Sequence, residues 1–203
     1  YKWIKYWIKK NKNKNVKNIC LAGGVFGNVK INQIVSEIKG VKNVYVFPHM
    51  ADGGIPFGSA ALAKYNLSKK GKIVFDNMYS GPIFKDEEIL KELQKNNKIL
   101  NYKFLKNKPL IVANKLIEGK IIGLFDGKME YGPRALGNRS ILANPKDSSI
   151  NTWLNKRLNR TDFMPFAPVT PVEYAKKCFI NWNKSHVASK FMTRTYRCTN
   201  DFI

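Results

Sequence analysis

The feature that most constrains the fold of this chain is an alternation of short apolar runs with helix-length segments. Residues 18–22 and 44–47 are apolar runs of strand length, which predicts two buried strands. A helix is predicted between them from apolar residues at helical spacing, namely Ile31, Ile34, Val35 and Ile38, with Gly40 as its stop. Residues 57–65 predict a helix of small residues that packs closely. This β-α-β-α order is typical of an α/β fold.

The pattern weakens between residues 67 and 82, where Gly71, Asp76, Asn77, Gly81 and Pro82 interrupt it, and this predicts a domain boundary. Residues 1–80 and 81–203 are therefore expected to form two α/β domains. Helices are predicted at 1–10, 86–96, 110–118, 147–158 and from Pro171 onward, strands at 120–125, 140–143 and 166–169, and a solvated connection at 11–15.

Composition excludes several classes of protein. A hydrophobic fraction of 44% and an aromatic fraction of 12% support a globular core. No apolar run approaches the roughly 20 residues of a membrane-spanning helix, and the first ten residues do not resemble a secretory signal. Three distant cysteines predict a reducing, cytoplasmic environment without disulfides or a zinc cluster. Because the chain starts at Tyr1 in mid-helix and stops at Ile203, we expect a fragment. The absence of a long apolar run predicts no membrane association.

The net charge of +22 raises the question of nucleic-acid binding, since cations gain affinity by releasing counterions from phosphates. The 30 lysines are spread evenly, however, and the aromatic residues follow core periodicity, so we expect no specific nucleic-acid partner. A basic nucleic-acid-binding module stays the alternative from another functional class. Four of the six arginines fall between residues 134 and 160, and this concentration indicates an anion site.

Two glycine pairs follow predicted strands. Gly23 and Gly24, with Asn28, are suited to close approach of a phosphate at a helix N-terminus, although on this segment alone a simple tight turn is the more frequent explanation. Gly53 and Gly54 could place the carboxylate of Asp52 at the edge of a cleft, beside a metal or a nucleotide, although on this segment alone an ordinary Asp turn is favoured. His49, which precedes them, is interpreted as a structural hydrogen-bonding residue.

The segment with the strongest functional signal is the loop at residues 129–141, Met-Glu-Tyr-Gly-Pro-Arg-Ala-Leu-Gly-Asn-Arg-Ser-Ile. Its glycines permit close ligand approach, and Arg134 and Arg139 are predicted to clamp a phosphoryl group, with Ser140 as a further hydroxyl donor. Arg160 is another candidate for anion binding, although an ion pair with Asp162 would also explain it.

The chain resembles the carbamoyltransferase family, which includes nodulation-type and antibiotic-modifying O-carbamoyltransferases. The resemblance rests on segments that occur in this order: Leu21–Val25 with Asn28, Asp52–Gly54 with Gly58, Gly81–Pro82, Met129–Ile141, Ala143–Pro145 and Pro165–Pro168. It spans nearly the whole chain, and Gly-Pro-Arg-Ala-Leu-Gly-Asn-Arg-Ser is its specific core.

The resemblance implies the C-terminal part of an actin/hexokinase-like transferase domain at residues 1–80, followed by a partial YrdC-like domain at 81–203. The YrdC-like domain would make carbamoyl-adenylate from carbamoyl phosphate and ATP, with Mg, and the transferase domain would carbamoylate a small-molecule hydroxyl acceptor. Arg134, Arg139 and Ser140 match the activation site. Gly23, Gly24 and Asn28 match the nucleotide-contacting turn, and Asp52 matches a ligand of an iron-like divalent metal.

Three departures from the family pattern are visible. The chain has no His-x-x-x-His pair, so the metal site would need sequence outside it. Met164 stands where many members have Arg, and Asn159 stands near a position that is often Lys. An inert truncated family member therefore stays an alternative, and homodimer formation is left open.

Overall fold

The computed structural model describes residues 1–11, 17–68, 73, 76–160 and 165–200. The chain divides into two compact units. The first unit comprises Tyr1–Met78, Tyr131–Arg134 and Val169–Ile203, and the second comprises Tyr79–Glu130 and Ala135–Pro168. Both contain helices and short strands, as an α/β class requires. The predicted division of the chain at residue 80 stays a prediction.

The first unit is built on a β-α-β element. Strand β1 (Asn18–Leu21) leads through a 3-10 turn (Gly24–Gly27) into helix α2 (Val29–Ser36) and then strand β2 (Asn43–Val46). The two strands pair in parallel. The predicted strands and the helix between them are therefore confirmed, with boundaries shifted by a residue or two at most ends. Helix α1 (Lys2–Lys10) precedes this element.

The core of the first unit lies between these strands and helices. Its buried members are Leu21, Val35, Ile38, Val44, Val46 and Met50. Ile34, predicted on the same face of α2, is exposed instead. Asn32 and Gln33 are buried in its place, because Asn32 donates to the Thr193 carbonyl at 2.8 Å and Gln33 accepts from Thr195 at 2.9 Å. Helix α2 therefore packs on two sides, one apolar and one polar.

Helix α3 (Ile55–Ser68) follows a 3-10 turn at Asp52–Gly54 and carries no buried residue in the described chain. The close packing predicted for its small residues is wrong for the described part of the molecule. Its first turn is held by a ring stack between Phe57 and Phe47, with centroids 5.4 Å apart.

The second unit contains helices α4 (Asp86–Lys95), α5 (Lys108–Ile117) and α6 (Ser149–Arg157), and an antiparallel pair of strands, β3 (Ile122–Phe125) and β4 (Arg139–Leu142). All five elements were predicted. Acidic residues fill the first turn of α4, where they favour the positive helix end. Just before α6, the Asp147 carboxylate accepts from the Ser149 amide at 2.9 Å, while the N-cap residue itself is Ser148.

Two predictions beyond α6 are wrong. Residues 165–169 form no strand, because Pro165 and Pro168 lack the amide donors that a ladder needs. Pro171 opens a turn rather than a helix: the Tyr174 amide bonds the Pro171 carbonyl three residues back, and helix α7 starts only at Ala175–Cys178.

Some predictions fall partly on residues outside the described chain, including the connection at 11–15, the boundary region at 67–82, Asp162 and Met164. Within the described residues, every helix is too short or too polar to cross a membrane.

Candidate functional site

The glycine- and arginine-rich loop at residues 129–141 contributes to both compact units. Tyr131–Arg134 belongs to the first unit, whereas Glu130 and the residues from Ala135 onward belong to the second. Arg134 therefore belongs to the first unit and Arg139 to the second, and each contacts residues of its own unit. The predicted clamp that combines them stays a prediction.

In the second unit, the carboxylate of Glu130 organises the loop. One of its oxygens accepts three backbone amides, from Leu136 at 3.1 Å, Asn138 at 2.7 Å and Arg139 at 3.1 Å. Desolvation by burial acts to raise the pKa of Glu130, but the backbone hydrogen bonds outweigh it and the pKa is lowered. The ionised carboxylate is thus the form that stabilises this loop.

Arg139 holds the other side of the same loop. Its Nη1 atom donates to the carbonyls of Asp126 at 2.7 Å and Asn138 at 2.9 Å, and the guanidinium lies over the Phe125 ring at 3.6 Å. The guanidinium also donates to Gly127 at 3.3 Å. This arrangement uses both the planar fork and the flat face of arginine, and lysine has neither.

Ser140 and Arg160 also have local roles. The Ser140 hydroxyl accepts the Gly137 amide at 3.0 Å, which closes the end of the loop. The Arg160 guanidinium lies over the Phe166 ring, 4.8 Å from its centroid. Its alternative partner, Asp162, lies outside the described residues. Their predicted roles in anion binding stay predictions.

In the first unit, the segment Tyr131–Arg134 contacts both predicted glycine turns. The half-buried Arg134 donates from Nη2 to the Gly27 carbonyl at 2.7 Å, while its buried Nε has no hydrogen-bond partner among the described residues. The Tyr131 hydroxyl donates to the Gly53 carbonyl. The Gly23 amide in turn bonds the Met50 carbonyl at 2.7 Å, which links the two turns. The structure thus brings together segments that are far apart in the sequence.

In the turn at residues 23–28, one glycine has a positive φ and another has free space where a side chain would lie. Gly23 has φ +110°, a conformation that favours glycine, whereas a Cβ added at Gly24 would meet no atom within 4 Å. The Asn28 side chain caps α2, since it accepts from Lys30 at 3.1 Å and Ile31 at 3.2 Å. Asn28 therefore has a structural role beside its predicted contact with nucleotide.

The turn at residues 52–54 is packed more tightly. A Cβ at Gly53 would lie 2.1 Å from the His49 ring, and one at Gly54 would lie 2.1 Å from the His49 carbonyl oxygen. Gly54 is thus required by packing against backbone, whereas a side chain at Gly53 would require the His49 ring to shift. The His49 ring lies 4.8 Å from the Tyr131 ring, and its buried Nδ1 has no partner among the described residues, so the hydrogen bond predicted for His49 is not found at that nitrogen.

Asp52 is exposed at the start of this turn. No group of three or more His, Cys, Asp or Glu side chains in the described part of the chain is arranged to hold a metal ion. The described residues therefore offer one carboxylate here and not a complete ligand set.

Sequence reasoning missed Glu130 and Tyr131, although both lie within the loop that it singled out. The available signal was an acidic residue beside a glycine- and arginine-rich loop in a chain with only 14 acidic residues. A carboxylate there suits the free amides of such a loop.

Two family models match most of the chain. The family model for the carbamoyltransferase N-terminus matches residues 4–61, and the model for the carbamoyltransferase C-terminus matches residues 113–202. The chain belongs to the carbamoyltransferase family.

Several curated proteins are similar over most of the chain. Two uncharacterised proteins of Methanocaldococcus jannaschii are 37% and 35% identical, over 90% and 87% of this chain and 34% and 30% of their own lengths. Nodulation protein NolO of Bradyrhizobium diazoefficiens is 30% identical over 83% of this chain and 31% of its own length. The chain thus spans about a third of the length of these relatives.

Proposed function

We propose that the full-length protein is an ATP-dependent O-carbamoyltransferase. The observation that carries this proposal is the loop at residues 129–141, which falls within the carbamoyltransferase C-terminal match and is organised by Glu130 and Arg139. Glycine turns, arginines and backbone amides suit the handling of phosphates, which need charge neutralisation more than a nucleophilic side chain.

The proposed reaction has two stages. Water first hydrolyses carbamoyl phosphate to carbamate and orthophosphate. A carbamate oxygen then attacks the α-phosphorus of ATP, so that carbamoyl-adenylate forms and pyrophosphate leaves. The hydroxyl oxygen of a small-molecule acceptor then attacks the carbamoyl carbon. AMP leaves, and the hydroxyl proton passes to solvent or to a base. The first stage is assigned to a YrdC-like domain and the second to an actin/hexokinase-like domain.

Within the second unit, we assign Arg139 chiefly to loop geometry, with its remaining N–H groups available to phosphoryl oxygens. Ser140 supplies a hydroxyl next to the closed loop end, and Arg160 a cation already oriented by Phe166. These side chains neutralise charge as it develops on the pyrophosphate.

Within the first unit, Gly23, Gly24 and Asn28 are assigned to binding the nucleotide, and Arg134 contributes positive charge beside that turn. The open space at Gly24 and the free Nε of Arg134 among the described residues support this assignment. Gly53 and Gly54 are assigned a supporting role, because packing against His49 already accounts for them.

A divalent metal, iron-like in the family resemblance, and Mg with ATP are part of this proposal. Asp52 could supply one ligand. The described residues hold no cluster that completes a site, so the other ligands would have to come from outside them.

The proposal is tested by measuring pyrophosphate release from ATP by the full-length protein. Release is expected only when carbamoyl phosphate is present, and it should stop when carbamoyl phosphate is omitted. Formation of ADP in place of AMP-derived product and pyrophosphate would contradict adenylate formation, whereas orthophosphate is expected in either case from carbamoyl phosphate.

Replacing Gly24 with alanine is expected to leave thermal stability nearly unchanged and to weaken ATP binding at least about tenfold. The reason is that its Cβ meets no protein atom, so only an approaching ligand would be displaced. The matched variant Gly54→Ala should behave oppositely and lose about 1–3 kcal/mol of stability, because its Cβ would collide with the His49 carbonyl. Melting temperature and ATP titration of both full-length variants are the measurements. Unchanged ATP affinity in Gly24→Ala would remove this turn from the nucleotide site.

Replacing Asp52 with asparagine is expected to lower the metal content of the purified full-length protein at least about tenfold, since the loss of a direct ligand costs no less than that of an outer-shell partner. Elemental analysis measures the metal directly, and Asp86→Asn on helix α4 is a control at another exposed carboxylate. Pyrophosphate release should persist in both variants. Equal metal content in Asp52→Asn and wild type would exclude Asp52 as a ligand.

A further inference from the structure

A cavity of about 290 Å³ lies in the first unit, apart from the candidate functional site. One wall is formed by Gln33 of helix α2 and by Glu37, which follows that helix, and the other wall by Asn181, Arg194, Tyr196 and Arg197. The two walls come from segments matched by the N-terminal and the C-terminal family models, respectively. No residue of the 129–141 loop or of either glycine turn lines it. Its volume is at the lower end for small-molecule sites, so it suits a small ligand.

The cationic side of the cavity is preorganised. The half-buried Arg194 guanidinium lies over the Tyr196 ring at 4.5 Å, which fixes the plane of its fork. Its buried Nε has no hydrogen-bond partner among the described atoms. Among the residues that the structure describes, no carboxylate lies within 4.0 Å of the Arg194 or Arg197 guanidinium to form an ion pair. Burial lowers the pKa of Arg194, while Tyr196 and Glu37 oppose this effect. Desolvating a cation without a direct partner is costly, and an anionic ligand would offset that cost.

The opposite wall is polar and held in place. Gln33 donates from Nε2 to the Glu37 carboxylate at 2.8 Å, and its own oxygen accepts from Thr195 at 2.9 Å and Lys30 at 3.0 Å. The Glu37 carboxylate keeps acceptor capacity that could receive a hydroxyl. Two arginines and one glutamate line the cavity, so the lining carries one net positive charge. That balance favours a singly charged carboxylate over a phosphate dianion.

We propose that this cavity binds a small hydroxylated monocarboxylate, with its carboxylate on Arg194 and Arg197 and its hydroxyls on Glu37 and Asn181. The arginine forks match the two carboxylate oxygens, while the opposite wall can accept and donate to hydroxyl groups. Binding at this cavity does not depend on the proposed carbamoyl transfer, and it is measured without ATP or carbamoyl phosphate.

The test uses gluconate as the probe and the full-length protein. Sorbitol is a matched neutral control, because it has the same chain length with an alcohol in place of the carboxylate, and inorganic phosphate tests the dianion. Saturable gluconate binding by calorimetry or ligand-observed NMR, at least about tenfold tighter than either control, is expected. No gluconate binding, or equal binding of sorbitol, would overturn the proposal. Tighter binding of phosphate would overturn the carboxylate class.

Two variants locate the site. Arg194→Gln and Arg197→Gln should each weaken gluconate binding at least about tenfold, since each removes a charge-assisted contact. Lys190→Gln, at an exposed lysine that does not line the cavity, should bind gluconate as the wild type does. If Arg194→Gln fails to fold, the more exposed Arg197→Gln still decides the result. Wild-type affinity in Arg197→Gln would contradict the proposed site.

Discussion

Replacing Arg139 with lysine is expected to lower carbamoyl-phosphate-dependent pyrophosphate release at least about tenfold in the full-length protein. Lysine keeps the charge but cannot bond the Asp126 and Asn138 carbonyls at once while stacking on Phe125. The loop would then lose its bridge to the end of β3, and a misplacement of about 1 Å at a reacting group can cost about a hundredfold in rate. Initial rates at saturating ATP and carbamoyl phosphate measure the effect.

The control for this prediction is Arg157→Lys, which makes the same chemical change on the exposed face of α6. It should retain wild-type rates. Arg134→Lys, beside the proposed nucleotide-binding turn of the first unit, is expected to weaken ATP binding at least about tenfold, because the single ammonium cannot both bond Gly27 and present a fork to a ligand. Wild-type turnover in Arg139→Lys would refute its assignment to the activation site, and wild-type ATP affinity in Arg134→Lys would refute its assignment to the nucleotide turn.

Replacing Glu130 with glutamine is expected to destabilise the protein by about 1.5–3 kcal/mol at neutral pH, the range for hydrogen bonds to a charged group. Three backbone amides converge on one carboxylate oxygen, and a neutral amide is a weaker acceptor for them. We also expect pyrophosphate release to fall, because Asn138 and Arg139 are placed by this contact.

The lowered pKa of Glu130 fixes the direction in which the stability difference between wild type and Glu130→Gln changes with pH. The pKa of Glu130 is lowered in the folded protein, so its stabilising contribution is fully present above the ordinary glutamate pKa of about 4.3. That contribution is lost as the pH falls through the lowered value. The stability difference between wild type and Glu130→Gln should therefore shrink below about pH 4.3.

Chemical denaturation across pH provides the measurement. Glu118→Gln, which removes an exposed ion pair with Lys115, is the control and should change stability by less than about 1 kcal/mol. A Glu130→Gln difference that grows toward low pH, or one no larger than that of Glu118→Gln, would contradict the role of this carboxylate.

The elements that could be predicted from the sequence are those whose signal is local. The strand at Asn18–Leu21 and helix α5 (Lys108–Ile117) follow from apolar runs and caps within a few residues. The exposure of Ile34 and the burial of Asn32 could not be predicted, since they depend on Thr193 and neighbouring residues, about 160 positions away. No local periodicity encodes such a contact.

In the candidate site, too, some features follow from local sequence and others only from the folded structure. The arginines and glycines of the 129–141 loop stand out because 30 of the 36 basic residues are lysines and no arginine precedes Arg134. That Gly54 has no room for a side chain beside the His49 carbonyl depends on three-dimensional packing. The role of Glu130 depends on three backbone amides that converge on its carboxylate only in the folded loop.

The most direct test of the central claim is a double-label experiment on the full-length protein. ATP labelled in the adenine ring and carbamoyl phosphate labelled in the carbonyl carbon are incubated with the enzyme without acceptor, and the products are separated after rapid quenching. The proposed function predicts one species that carries both labels, together with stoichiometric pyrophosphate. Separate labelled products with ADP, and no doubly labelled species at any time, would contradict carbamoyl-adenylate formation.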